Sequence, residues 1–205
     1  MITATGICAV TGNIVTMTSG TGTCSLAANW ASDNNYLAAS ATQSTTGTKI
    51  APTDSFAGAP VSAPYQSMFT VTATTNASTT ATLAASGSCS IVGTTVTMTL
   101  SIGTCSLSAT WATDNNYLAA SASQSTAATK ATPQTTFTGA PAIASYHSSF
   151  TVVATTNASS TAIITASGSC TIAVTTVTVT KSLGTCSLSA TWAADNNYLA
   201  ASATR

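Results

Sequence analysis

Along most of this chain, threonine or serine alternates with valine, alanine, leucine or isoleucine. In "FTVTATT", Phe69, Val71 and Ala73 share one face, and Thr70, Thr72 and Thr74 share the other. "TTVTMTL" does the same with Val96, Met98 and Leu100, and "CSLSATW" places Cys105, Leu107, Ala109 and Trp111 on one side. A period of two is that of a half-buried β-strand. Turn signals at "GAP", "TTNAS", "ASGSC" and "SIGT" separate such segments. No segment has the period of a helix. The expected class is all-β.

The strand pattern is itself repeated. Cys24, Cys105 and Cys186 stand 81 residues apart (105 − 24 = 186 − 105 = 81), as do Trp30, Trp111 and Trp192, Asp33, Asp114 and Asp195, and Tyr36, Tyr117 and Tyr198. Solenoid repeats are about 20–50 residues long, so this longer period marks tandem copies of a whole small domain. Counting back from Arg205 gives copies at 125–205 and 44–124 and a partial copy at 1–43 (43 + 81 + 81 = 205). The partial copy corresponds to the C-terminal half of the others. It lacks the segment that elsewhere contains Phe56, Pro60, Tyr65 and Phe69, or Phe137, Pro141, Tyr146 and Phe150. Either the chain is a piece of something longer, or another molecule supplies the missing half. The opening "MITATGICAV" has neither the basic n-region nor the long apolar core of a signal peptide, an opening that fits a piece of a longer chain.

About six or seven short strands in some 80 residues, each apolar on one face, fit a two-sheet antiparallel sandwich. A core of that size buries little more than about 60% of the unfolded surface. It needs reinforcement, and each copy holds two cysteines at one spacing (24 − 8 = 105 − 89 = 186 − 170 = 16). Disulfides Cys8–Cys24, Cys89–Cys105 and Cys170–Cys186 are the expected pairs, each stabilising by roughly 3 kcal/mol through the unfolded state. Free buried thiols and a metal site are the alternatives; structural zinc normally takes four Cys or His ligands, and the chain has one histidine, His147. Three disulfides imply an oxidising setting, extracellular or periplasmic.

Composition narrows the function. Only 4% of residues are charged, against about 25% in ordinary domains. All four acids are aspartate, and the bases are Lys49, Lys130, Lys181 and Arg205. Phosphate neutralisation needs a basic cluster, so nucleic acid is not an expected partner. Membrane insertion is not expected either, since no apolar run approaches the about 18–20 residues of a spanning helix. Little charge repulsion separates copies, which favours self-association. Catalysis needs convergent titratable groups, and one histidine, no glutamate and four scattered aspartates do not offer them. Neither an enzyme nor a cofactor is expected.

The remaining motifs have structural readings beside sharper ones. Trp30, Trp111, Trp192, Tyr36, Tyr117 and Tyr198 are expected in the core, with a sugar-binding platform for cell-surface glycans as the alternative. Asp33, Asp114 and Asp195, each before two asparagines, are turn formers; a calcium site would need more carboxylates. Asn76 and Asn157 lie in Asn-Ala-Ser sequons and are candidate glycosylation sites. Lys49 and Lys130 are equivalent linker lysines, an isopeptide crosslink being the sharper reading, and His147 replaces Gln66 as surface variation.

The order "TFTGAPA…SYHSSFTVVATT…ITASGSC…TTVTVT…LGTCSLSATWAADNNYLAA" resembles the bacterial immunoglobulin-like repeats found in tandem in large surface and secreted proteins, including adhesins and cell-envelope stalks. The resemblance implies tandem immunoglobulin-like antiparallel β-sandwiches used as an extracellular spacer, adhesin segment or assembly unit. The expected function is a structural part of a filament, sheath or stalk, with the partial copy completed by a neighbouring subunit. A glycan- or host-binding adhesin segment is the alternative.

Overall fold

The computed structural model describes residues 1–205 and is all-β, in several antiparallel sheets, consistent with a β-sandwich. No helix is long and apolar enough to cross a membrane. Strands recur at the sequence period: Cys8–Thr11, Cys89–Val92 and Cys170–Ala173; Ile14–Met17, Thr95–Met98 and Thr176–Val179; Asp54–Ala57 and Thr135–Thr138.

The chain divides into two compact units. The first contains Met1–Ala59, Thr70–Ala84 and Leu107–Gln124. In it, Thr23–Trp30 is the central strand between Ile2–Gly6 and Ala39–Thr46, the hairpin Cys8–Thr11 with Ile14–Met17 forms a second sheet, and Asp54–Ala57 pairs with Thr72–Thr75. The second unit contains Pro60–Phe69, Ala85–Ser106 and Ser125–Arg205. There Ala162–Gly168, Cys186–Trp192 and Ala201–Thr204 make one sheet, and Ser149–Thr151, Thr176–Val179 and Cys170–Ala173 another. Phe137, Val152, Cys170, Val177, Leu188, Ala190 and Trp192 form its buried core. One pairing is parallel, Ala127–Thr129 alongside Ser62–Pro64.

The chain moves from one sheet to the other at a glycine. Gly6 and Gly168 end their strands at φ of 85° and 88°, opposite Cys24 and Cys186. A Cβ there would stand 2.1 or 2.2 Å from the carbonyl oxygen of Thr23 or Thr185, so only glycine fits. Two residues later the strand begins again in the other sheet with Cys8 or Cys170.

The alternation predicts burial well inside strands. Cys105, Leu107, Ala109 and Trp111 are all buried, as are Val71, Val96 and Met98. Leu100 is the exception, 51% exposed. The strand stops at Met98, and the inward face stops with it.

Candidate functional site

All three expected disulfides are present, Cys8–Cys24, Cys89–Cys105 and Cys170–Cys186, with Cα separations of 5.1–5.3 Å, and no cysteine is free. In the first and third copies each bridge joins two different sheets, Cys8 to Cys24 and Cys170 to Cys186. The bridges hold the two sheets of a copy together where the small core is thin.

The Asp-Asn-Asn-Tyr turns are built by the aspartate carboxylate. One oxygen of Asp114 accepts the N–H groups of Asn116 and Tyr117 at 2.8 and 2.7 Å, and the other accepts the N–H and hydroxyl of Ser78 at 2.8 and 2.7 Å. Asp195 repeats this with Asn197, Tyr198 and Ser159. Asp33 accepts only from Asn35 and Tyr36, because the first copy has no counterpart of Ser78. These carboxylates are turn locks, and nowhere do three His, Cys, Asp or Glu side chains converge as a metal site requires.

The four bonds on each lock favour the ionised form. The backbone N–H of Ser78 does most to hold the Asp114 carboxyl well below the usual carboxylate range, followed by the Ser78 hydroxyl; the Ser159 N–H and hydroxyl do the same for Asp195. A carboxyl with a depressed folded pKa adds stability above its unfolded value of about 3.9 and gives it up as pH falls from there toward the folded value. Melting temperature should therefore decline with acidification below about pH 4. Asp195→Asn presents an NH2 group to donors that need an acceptor, so it should melt several degrees lower at pH 7. The gap should narrow as the pH is taken below 4; a gap independent of pH would show that the charge is not what locks the turn.

The sequon asparagines are part of the same corner. Asn76 accepts the Thr53 N–H at 2.8 Å and donates to the Tyr117 hydroxyl at 3.4 Å, and Asn157 does likewise with Gln134 and Tyr198. Lys49 and Lys130 reach the same turns, donating to the Thr113 hydroxyl at 2.8 Å and the Asp195 carbonyl at 2.6 Å. Ile50 and Ala131 follow as parallel bridges to Tyr117 and Tyr198.

The first copy differs sharply from the others. Trp111 and Trp192 are each 2% exposed, but Trp30 is 56% exposed. Val96 is 0% exposed and Met98 1%, whereas Val15 and Met17 are 38% and 40% exposed. Tyr198 is buried and Tyr117 half-buried, while Tyr36 is 76% exposed. The core assignment is thus corrected for Trp30 and Tyr36. The segment that elsewhere holds Phe56, Tyr65 and Phe69, or Phe137, Tyr146 and Phe150, has no counterpart in 1–43, and Val15, Met17 and Trp30 face solvent in this structure.

Sequence reasoning missed two partnerships, Ser78 with Asp114 across 36 residues and Tyr65 with Tyr198, whose rings meet edge-on at 5.7 Å. The 81-residue recurrence of both serines was the available signal for the first. Among known proteins, the chain matches no protein-family model and no curated sequence.

Proposed function

We propose that this is a non-enzymatic extracellular structural protein, a series of immunoglobulin-like β-sandwich modules in a filament, sheath or cell-surface stalk. In this reading the half module at 1–43 is completed by a neighbouring copy of the chain. The observation that carries it is the open face of Val15, Met17 and Trp30, apolar positions whose counterparts in the complete copies are buried. Apolar burial returns about 25 cal/mol per Å², and a chain with net charge +0 has little repulsion to oppose the contact. Three disulfides support an oxidising, extracellular location.

The test is the double substitution Val15→Asp with Met17→Asp, read by electron microscopy and sedimentation of the full chain. Both sites are more than a third exposed in the single molecule, so the melting temperature should fall far less than for the same change at the buried Val96 and Met98, while assemblies disappear. Assemblies of unchanged size would contradict completion of this face. The exposed Trp30 and Tyr36 favour a second reading, an adhesin segment binding glycans by stacking; saturable glycan binding lost in Trp30→Ala would support it over the first.

A further inference from the structure

The boundary between the second and third sequence copies, at 124 and 125, falls inside one strand, Ala120–Thr129. Tandem modules ordinarily meet at an exposed linker that few contacts cross, and they move independently about it. Here every residue from Thr126 to Ala131 is tied down. The Thr126 side chain is fully buried, and its hydroxyl donates to the Pro60 carbonyl at 2.8 Å. The Ala127 N–H donates to the Val61 carbonyl at 2.9 Å, the Ala128 N–H donates to the Gly103 carbonyl at 3.0 Å, and the Thr129 carbonyl accepts the Tyr65 N–H at 2.9 Å. All of these bonds run back to the second copy.

The next two residues bond forward. Lys130 donates its ammonium group to the Asp195 carbonyl at 2.6 Å. Ala131 donates its N–H to the Asn197 carbonyl and accepts the Leu199 N–H, both at 2.9 Å. The chain thus changes partners between Thr129 and Lys130 with no free residue in between. Side chains cross the boundary as well. Ser101 is buried and donates its hydroxyl to the Asn196 carbonyl, Tyr65 meets Tyr198 edge-on at 5.7 Å, and the Tyr198 hydroxyl donates to Gln66 at 3.5 Å. Pro60–Phe69 and Ala85–Ser106 of the second copy accordingly lie in one compact unit with the whole third copy.

We propose that Thr126–Ala131 is a splice that joins Pro60–Phe69 and Ala85–Ser106 to the third copy as one cooperative block, so that the boundary between these copies is not a hinge. The folding unit and the 81-residue sequence unit are out of step. Bending at this boundary has to break backbone hydrogen bonds and uncover Thr126, which makes the tandem chain stiff here. The splice is a property of the single chain and stands whether or not chains associate. Within one block the opening that exposes one amide exposes the others, so their protection against exchange moves together. Across a hinge it does not.

Hydrogen exchange of the full chain tests this. In the wild type, Ala127 and Ala128 should exchange as slowly as Val152, which donates its N–H to the Thr175 carbonyl in the third copy. Exchange about a hundredfold faster, as in a linker, overturns the splice without any substitution. Val177→Ala then probes the coupling, because Val177 is buried in the core of the third copy and makes none of the contacts above. Protection should fall by one common factor, about tenfold or more, at Val152, Tyr65, Ala127 and Ala128. A loss confined to Val152, with Tyr65 and Ala127 at wild-type protection, makes the boundary a hinge and overturns the proposal. Adding Tyr65→Ala with Lys130→Ala removes side chains that cross the boundary, so in that background Val177→Ala should affect Val152 as before and Ala127 much less. An undiminished effect at Ala127 shows that these contacts do not carry the coupling, and it too overturns the splice.

Discussion

Replacing Trp192 with alanine should destabilise the protein by about 3–5 kcal/mol, whereas the same change at Trp30 should cost less than about 1 kcal/mol. The two residues sit in nearly the same sequence, "TW" or "NW" at the end of one strand and three residues ahead of Asp-Asn-Asn-Tyr. Trp192 packs in the core with Phe137, Val152 and Leu188, and truncation would leave a cavity. Trp30 has already lost its cover. A domain has only about 5–15 kcal/mol in total, so Trp192→Ala should leave its copy partly unfolded at 37 °C. Phenylalanine should cost less than alanine, because the Trp192 indole N–H is buried without a partner and phenylalanine removes that donor. Denaturant midpoints of the three variants check the ranking. Equal losses at Trp30 and Trp192 would mean that the first copy is closed within the single molecule.

Removing the Cys8–Cys24 bridge by paired alanine substitution should unfold the first copy ahead of everything else. The loop entropy is common to all three bridges, which share a sequence separation of 16, and amounts to roughly 3 kcal/mol each. The consequences differ because the surroundings differ. In the third copy the two sheets joined by Cys170–Cys186 also share a core that includes Phe137, Val177 and Trp192. In the first, Val15, Met17 and Trp30 face solvent, and the bridge ties the hairpin Cys8–Thr11 with Ile14–Met17 to the sheet containing Thr23–Trp30 with few buried side chains to help it. Hydrogen exchange should find residues 1–46 unprotected in Cys8→Ala with Cys24→Ala, and the remainder unchanged. The corresponding change at Cys170 and Cys186 should lower the melting temperature and keep the strands protected below it. Retained protection in 1–46 would show that other contacts hold its sheets together.

The strands were legible because alternation with a period of two reports a local property, the two faces of one strand. Cysteine pairing was legible for a similar reason: one spacing, three times, with two cysteines in each copy. Burial of the aromatic residues was not. Whether Trp30 is core or surface depends on residues outside its own motif, and nearly the same local sequence gives opposite environments. Leu100 continues the alternation past the end of its strand, which pattern alone does not reveal. The turn locks and the tyrosine pair were hidden by sequence distance, since Asp114 meets Ser78 and Tyr198 meets Tyr65 only once the sheets have brought them together. The repeat was the missing guide: the same long-range partner recurs 81 residues away, so any contact found in one copy predicts one in the next.

The central claim, that a neighbouring copy closes the open face of the first copy, is tested most directly by tryptophan accessibility against protein concentration. With two tryptophans at 2% exposure and one at 56%, a neutral quencher should reach only Trp30 in the dilute chain. As concentration rises and larger particles form, that accessible fraction should vanish and the emission should shift to the blue, with Trp30→Phe showing neither change. Quenching of Trp30 that persists unchanged in the assembled material would contradict the claim.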